Sequence, residues 1–276
     1  MPTIVPDLLN SCQNKNIVIT GALGILGQVL CKTIAQSGAQ VAVLDLDKEA
    51  CEKFAAQLPI TTQNGVHIGV GCDVRDPGSV SLSIEQICAN FENVHGLLNN
   101  AATKTNNLND FFEPFETYDL KTWQEVMSVN IDGMFLMAQA IGKHMGEKNI
   151  AGSIVQTASI YGVVGPDQRI YDGSYYMDRE INTPAVYSAS KAAVIGLSQY
   201  LATYWGDKGI RVNSLTPGGV ESGQNNVFSK KYSQRVPLGR MASADEIAYA
   251  ANFLLSDASS YINGQNLIVD GGLTAW

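Results

Sequence analysis

The chain alternates, from end to end, short runs of β-branched and apolar residues with longer stretches of helical periodicity. Seven runs read as strands, at 16–20, 40–44, 66–72, 94–99, 152–159, 210–216 and 265–269. Six stretches read as helices, at 25–37, 48–57, 78–91, 119–146, 184–207 and 243–256. The strand runs are apolar on both faces, as strands buried between two helix layers must be. Strands separated by helices form βαβ units, and those units build a parallel sheet. Ser243 with Glu246 three residues on makes a capping box for the last helix. Pro184 suits the first turn of the helix it opens. The predicted fold is α/β: a Rossmann-like, doubly wound parallel sheet of about seven strands with helices on both faces. No linker, repeat or low-complexity tract interrupts it, so residues 1–276 read as a single domain.

A chain of 276 residues, 45% hydrophobic and 16% charged, has the composition of a soluble globular protein with a large core. A net charge of −8 disfavours nucleic acid and anionic membrane as main partners. No apolar run reaches the roughly 18 residues of a membrane span, and residues 1–16 lack the pattern of a signal peptide. Cys12, Cys31, Cys51, Cys72 and Cys88 form no C-x-x-C pair and read as thiols in a reducing cytoplasm. His67, His95 and His144 have no ligand-like spacing, so no catalytic metal is expected.

The first strand runs into Gly21-x-x-Gly24-x-x-Gly27, which opens the first helix. Glycines there allow a tight turn and a close backbone approach to a pyrophosphate. The phosphates would meet the N–H groups and positive dipole end of the helix. Asp45 ends the second strand, 24 residues after Gly21. A carboxylate at that point accepts hydrogen bonds from ribose hydroxyls and repels a 2′-phosphate, which favours NAD over NADP. The plainer reading of Asp45 is a helix N-cap.

Tyr187 and Lys191 stand four residues apart, on one face of the predicted 184–207 helix. A tyrosine is a poor base at neutral pH, and a fixed ammonium nearby favours its phenolate. Such a pair can move a proton on and off an alcohol oxygen. About half of one Tyr-x-x-x-Lys match is expected by chance in a chain of this composition. A second match does occur, at Tyr204 and Lys208, and reads as structural because no serine precedes it in register.

From Lys15 to Gly272 the chain resembles the single-domain form of the short-chain dehydrogenase/reductase family. Asp73-Val74 resembles the family's adenine-contacting pair, and Asn99-Asn100-Ala101-Ala102 the segment that passes behind the cofactor. Val129-Asn130-x-x-Gly133 resembles its mid-helix asparagine motif, and Ser159 falls at its catalytic serine. Pro217-Gly218-Gly219-Val220-Glu221-Ser222 resembles the segment that holds the nicotinamide carboxamide. The resemblance implies an NAD-dependent oxidoreductase that interconverts a secondary alcohol and a ketone. It implies that Tyr187 is the general acid/base and that Lys191 lowers its pKa and holds the nicotinamide ribose. Ser159 would donate to the substrate oxygen, and Asn130 would anchor a water linking Lys191 to solvent. Gly21, Gly24, Ile25, Leu26, Gly27, Asp45, Leu46, Asp73, Val74, Asn100, Ala101, Pro217, Gly218, Val220 and Ser222 would complete the cofactor site. Residues 15–160 would mainly bind the dinucleotide, 161–183 would form an inserted loop, and 217–242 would cover the substrate. A homotetramer (or homodimer) is expected, with the 119–146 and 184–207 helices at one interface and Trp276 reaching toward a neighbour.

The chain departs from the family pattern in three places. Gly24 follows Gly21 by three residues rather than four, a spacing that also occurs in larger nucleotide-sugar-modifying relatives. An epimerase or dehydratase is therefore an alternative, as is a non-catalytic dinucleotide-binding protein. Ala102 stands where a glycine is usual. Ser159 and Tyr187 are 28 residues apart, about twice the usual gap. The extra residues, Gly165–Asn182, are rich in tyrosine and charge. Arg169, Tyr171, Tyr175 and Tyr176 are candidate contacts for a hydrophilic substrate such as a sugar, amino sugar or polyol derivative. The stretch 220–240 holds Lys230, Lys231, Arg235 and Arg240 against Glu221 alone. It reads as a solvated basic face or as a site for an anionic substrate group, with Arg235 a candidate contact. The insertion and the C-terminal residues also resemble bacterial members linked to surface-carbohydrate pathways.

Overall fold

The computed structural model describes residues 11–61, 65–105, 107–176 and 179–276, without the side chains of Tyr176 and Arg179. Nine strands are present among them: β1 (Asn16–Thr20), β2 (Gln40–Asp45), β3 (Ile68–Gly71), β4 (Gly96–Asn99), β5 (Ser153–Thr157), β6 (Tyr175–Tyr176), β7 (Arg179–Glu180), β8 (Arg211–Pro217) and β9 (Asn266–Val269). The helices are α1 (Ile25–Gln36), α2 (Lys48–Ala55), α3 (Pro77–Asn90), α4 (Leu108–Phe111), α5 (Leu120–Met127), α6 (Met134–Glu147), α7 (Ala185–Tyr204), α8 (Asn226–Ser233) and α9 (Ala244–Leu255). Seven strands form one parallel sheet in the order β3-β2-β1-β4-β5-β8-β9. The chain reverses direction across the sheet between β1 and β4, which opens a crevice at their carboxyl ends.

Alternate residues of the strands feed two cores. Ile17, Ile19, Val41, Val43 and Val155 pack with α1 and α9 on one face. Val18, Ala42, Leu97, Ile154 and Val212 pack with α3, α6 and α7 on the other. This is why the strands carry no polar side. Each fully buried Ile or Val contributes roughly 1.5–3 kcal/mol over its exposed state. Asp47, Asp76, Asp119, Asn225 and Ser243 cap α2, α3, α5, α8 and α9 through side-chain oxygens. Ser243 and Glu246 form the capping box predicted from their spacing.

Two departures from the predicted elements bear on function. The stretch 119–146 is not one regular helix: residues Ser128–Gly133 form a π-helical segment between α5 and α6. Close packing of Gly133 against Val74 marks the end of this segment. The second departure is local order in the insertion. Its residues Gln168–Tyr171 make a 3-10 turn, and β6 pairs antiparallel with β7. Ile170 and Tyr171 join Ile160, Phe228, Tyr232 and Met241 in a third apolar cluster. The insertion and the 217–242 region thereby share one small core above the carboxyl ends of β5 and β8.

Candidate active site

Gly21 turns the chain out of β1 at φ +63°, a left-handed conformation suited to glycine. A Cβ there would also stand 2.8 Å from Ala101 Cα. The loop is tied to β2 twice: Ala22 N–H donates to the Leu44 carbonyl at 3.1 Å, and Leu23 N–H to Asp45 Oδ2 at 2.9 Å. The other carboxylate oxygen of Asp45 accepts from Leu46 N–H at 2.8 Å. The helix cap is Asp47, two residues on, so the N-cap reading of Asp45 does not hold. Gly24 begins α1 with no side-chain cap, which leaves the helix N-terminus to whatever fills the space before it. That space is a cavity of about 610 Å³. Gly21, Gly24, Ile25, Leu26, Gly27, Asp45, Leu46, Asp73, Val74, Asn100 and Ala101, all predicted for the cofactor, line it. Arg75 lines it as well and was not foreseen; its guanidinium is committed to Asp73 at 2.7 Å and holds that carboxyl below its usual range.

A second cavity, of about 280 Å³, lies over β5 and β8. Ser159, Tyr187, Gly218 and Ser222 line it, so the last two face this cavity and not the larger one. Pro217 and Val220 line neither cavity: Pro217 pairs with Val269, and Val220 packs on the first core.

Ser159 is fixed by the turn that follows it. Its Oγ accepts from Tyr161 N–H at 3.3 Å, and its carbonyl from Gly162 N–H at 2.8 Å. Gly162 lies against the backbone of Lys191, too close for any side chain. This contact seats the serine turn on α7, and Ser159 and Tyr187 line the same cavity. Burial pushes the Tyr187 phenol up, with the Ser159 hydroxyl opposing the rise and Tyr171 adding to it. The net direction is thus up, the reverse of the lowering expected from Lys191, because burial is the largest influence on this phenol. Lys191 Nζ donates to the Thr157 carbonyl at 2.8 Å and sits 5.8 Å from the Tyr187 ring centroid. It is itself buried, which pulls its ammonium down to about 8.

Asn130 is fully buried in the π-helical segment. Its Oδ1 accepts from Thr103 N–H at 3.0 Å, and its Nδ2 donates to Ser190 Oγ at 3.2 Å. Both ends of the amide thus serve protein partners, joining the β4–α4 loop to the helix that carries Tyr187. The water-anchoring role expected for this side chain meets competition from those two bonds.

Of the insertion's candidates, Tyr171 alone lines the 280 Å³ cavity among the described side chains. Its hydroxyl bonds Tyr161 at 3.2 Å and also bonds Thr183. Arg169 and Arg235 point away and share Asp167, at 2.8 and 2.9 Å. Tyr175 is exposed outside the cavity; the Tyr176 side chain lies outside the described residues. The basic stretch is largely structural: Lys231 donates to the carbonyls of Arg169 and Asp172, and Arg240 pairs with Glu246. Sequence reasoning missed Lys104, Phe111, Phe112, Asn182, Gln224 and Phe228, which also line the cavity. Most come from short or irregular segments whose periodicity carries no signal. Among the described residues, no group of three or more His, Cys, Asp or Glu is gathered as a metal site would need. No helix among them is long and apolar enough to cross a membrane.

Known proteins share this arrangement. A family described as enoyl-(acyl carrier protein) reductase matches residues 21–274. The D-threitol dehydrogenase of Mycolicibacterium smegmatis is 36% identical over 265 residues, spanning 94% of this chain and 93% of its own. A short-chain dehydrogenase from Leptospira borgpetersenii, solved with bound NAD+, superposes with a TM-score of 0.83 at 30% identity, covering 99% of this chain and 98% of that one. A gluconate 5-dehydrogenase from Burkholderia cenocepacia, solved with NADP and tartrate, gives a TM-score of 0.83 at 28% identity, covering 97% and 99%. The strand order, the uncapped glycine turn, the Ser159–Tyr187–Lys191 cluster and these matches agree: the chain belongs to the short-chain dehydrogenase/reductase family of oxidoreductases.

Proposed function

We propose that the protein interconverts a secondary alcohol and a ketone on a small polyol or sugar derivative, using NAD(H). The observation that carries this reading is the placement of Ser159 and Tyr187 together on the wall of a small cavity next to the dinucleotide cavity, with the Lys191 ammonium 5.8 Å from the Tyr187 ring centroid. Tyr187 would take the hydroxyl proton as the alcohol is oxidised and return it in reduction. Ser159 would donate to the reacting oxygen and steady its developing charge. Lys191 would offset the phenolate once Tyr187 has lost its proton, at the cost of keeping a buried ammonium. A bound oxidised nicotinamide supplies the hydride acceptor.

NAD is favoured over NADP by two features. Asp45 presents a carboxylate at the end of β2, where a 2′-phosphate would be repelled. Arg75, the one Lys or Arg among the described residues lining that cavity, is already held by Asp73. The substrate class is suggested by hydroxyl and amide groups in the smaller cavity: Tyr161, Tyr171, Asn182, Thr183 and Gln224. The threitol and gluconate enzymes, both similar to this chain, act on hydroxyl-rich molecules by their names. The free cysteines, four of the five buried, fit a cytoplasmic protein. Leu120, Phe135, Tyr200 and Tyr204 are exposed on α5, α6 and α7, which supports a homotetramer or homodimer through those helices.

The test is a panel of polyols and sugars with NAD+, read by NADH absorbance and by analysis of the ketone. One NADH per ketone is expected, and Tyr187→Phe should abolish turnover while still binding NADH. A product isomerised without net NADH would replace this reading with an epimerase, and unchanged turnover in Tyr187→Phe would remove Tyr187 from the mechanism.

A further inference from the structure

A third cavity, of about 500 Å³, borders the catalytic one. Asn182, Thr183 and Pro184 line both, so one stretch of chain serves as a wall of each. The remaining lining comes from 113–116, Tyr118, the insertion's Pro166 and Gln168, and Ala185 and Ser188 at the start of α7. Among the described residues, six buried side-chain nitrogen or oxygen atoms find no hydrogen-bond partner in the protein. Three of the six, Tyr118 Oη, Asn182 Oδ1 and Ser188 Oγ, belong to residues that line this cavity. A buried polar atom left unpaired costs free energy, and folded chains keep few of them. Three gathered around one cavity point to a ligand that pairs with them.

The chemistry of that ligand follows from the three atoms. Burial, with Asp110 adding to it, pushes the Tyr118 phenol up to about 12, so this oxygen keeps its proton and can donate. Asn182 Nδ2 donates to the Phe112 carbonyl at 2.7 Å, which leaves Oδ1 to accept. The Ser188 hydroxyl can do either. A partner must therefore both donate and accept, as a row of hydroxyls does. Pro114, Phe115, Pro166 and Pro184 supply apolar surface beside these polar groups. Glu113 and Glu116 bring carboxylates, and no Lys, Arg or His is among the lining residues, so an anionic group would meet no cation there.

We propose that this cavity is a second, non-catalytic site for a neutral pyranose, and that a sugar seated there steadies 182–184 and improves substrate binding in the catalytic cavity. The hydroxyl edge of the ring would meet Tyr118, Asn182 and Ser188, and its C–H faces the prolines and Phe115. The shared wall carries the effect. Thr183 Oγ1 bonds the hydroxyl of Tyr171, which lines the catalytic cavity, and Pro184 leads into the helix that bears Tyr187. The effect on the substrate rests on the alcohol-oxidation reading above; the binding does not.

The probes are the methyl glycosides of glucose, galactose and mannose, uncharged and fixed as pyranoses. Ligand-observed NMR without NAD+ should find at least one that binds with a dissociation constant below about 10 mM. Tyr118→Phe and Ser188→Ala should each weaken that binding about 3- to 10-fold, and the double variant more. Neither residue lines the catalytic or the dinucleotide cavity, so polyol oxidation without glycoside should be unchanged. In the wild type the glycoside should lower the polyol KM about fivefold, an effect the double variant should lack. Without sugar the double variant should melt no lower than the wild type, because the hydroxyls it loses have no protein partner. A lower melt would give those hydroxyls a structural role and overturn the proposal. So would no binding by any of the three glycosides, equal binding in the double variant, or a KM that is unchanged or raised with glycoside bound. No NADH from any polyol overturns the alcohol-oxidation reading and the coupling, while the NMR still decides the site.

Discussion

A methyl group on Gly162 tests whether the serine turn owes its place to its contact with α7. The added Cβ would stand 2.5 Å from the Lys191 carbonyl carbon, 2.6 Å from its oxygen and 2.8 Å from Ala192 N. Ordinary contact begins at 3.4 Å, so one side must retreat by about 0.9 Å. The helix is 20 residues long and packed along its length, so the short turn should be the part that moves. Ser159 caps that turn and would be carried with it. A misplacement of about 1 Å costs on the order of 10²-fold in rate. Overpacking costs about 1–3 kcal/mol, less about 0.4–1 kcal/mol for the stiffer unfolded chain. For a chain of this size that lowers Tm by at most roughly 5 °C. Gly162→Ala should therefore lose about 100-fold in kcat while its NADH dissociation constant stays within about twofold, since Gly162 lines neither cavity. Steady-state kinetics on the best polyol, NADH fluorescence titration and a thermal melt separate these quantities. A kcat within threefold of the wild type, or an equal loss of NADH binding, would refute the reasoning.

Three further substitutions probe other parts of the site. Asp45→Ala should raise the NADP-to-NAD ratio of kcat/KM about tenfold or more; because Leu23 N–H loses its acceptor, NAD should also bind more weakly, and an unchanged ratio would count against the carboxylate as selector. Tyr171→Phe removes a hydroxyl that bonds Tyr161 and Thr183, and should lower kcat/KM for polyols by about tenfold with NADH binding intact; equal kinetics would show that the insertion only roofs the cavity. Lys191 reports on pH. Its ammonium is lowered from an ordinary 10.5 to about 8, so between those values the unfolded chain keeps a proton that the folded chain has shed. Stability then gains from this group as pH rises through the window, by up to about 3 kcal/mol, and Lys191→Met should lack that gain. Urea unfolding at about pH 8 and pH 10 measures the difference, and parallel pH curves for the two proteins would contradict it.

The fold was legible because both faces of each strand are buried, so an apolar run bounded by turns identified each of the seven. The glycine turn was legible for a related reason: its backbone geometry leaves few residues that fit. The π-helical segment was not, since Ser128–Gly133 has the apolar spacing of the helix around it and differs only in its hydrogen-bond ladder. The smaller cavity was the least readable part. Its walls come from α4, the insertion and α8, none longer than eight residues as a regular helix, and they meet through contacts distant in sequence. Lys231 illustrates the difficulty. Its sequence context said basic face or anion site, yet its ammonium ties down the carbonyls of Arg169 and Asp172, about sixty residues earlier. A positive stretch in a sequence does not say whether its charges face a ligand or a loop.

The two Tyr-x-x-x-Lys pairs show what a motif leaves out. Lys208 lies 5.9 Å from the Tyr204 ring and Lys191 lies 5.8 Å from the Tyr187 ring, so the pairs are the same at the level of their own geometry. They differ in surroundings. Tyr204 is 57% exposed, while Lys191 is 2% exposed and holds the Thr157 carbonyl. An ammonium in water gives a neighbouring phenol little, because solvent screens it within a few ångströms. The same ammonium inside the protein acts at a lower effective dielectric and interacts more strongly with a phenolate that forms beside it. Burial alone would raise both groups' cost of carrying charge, and here it does. Tyr187 also shares a cavity with the Ser159 hydroxyl, a donor suited to the oxygen that becomes anionic in the proposed reaction. The proposed chemistry therefore depends on the contact between the serine turn and α7, and the Tyr187–Lys191 spacing is only the part of that contact visible in a linear sequence.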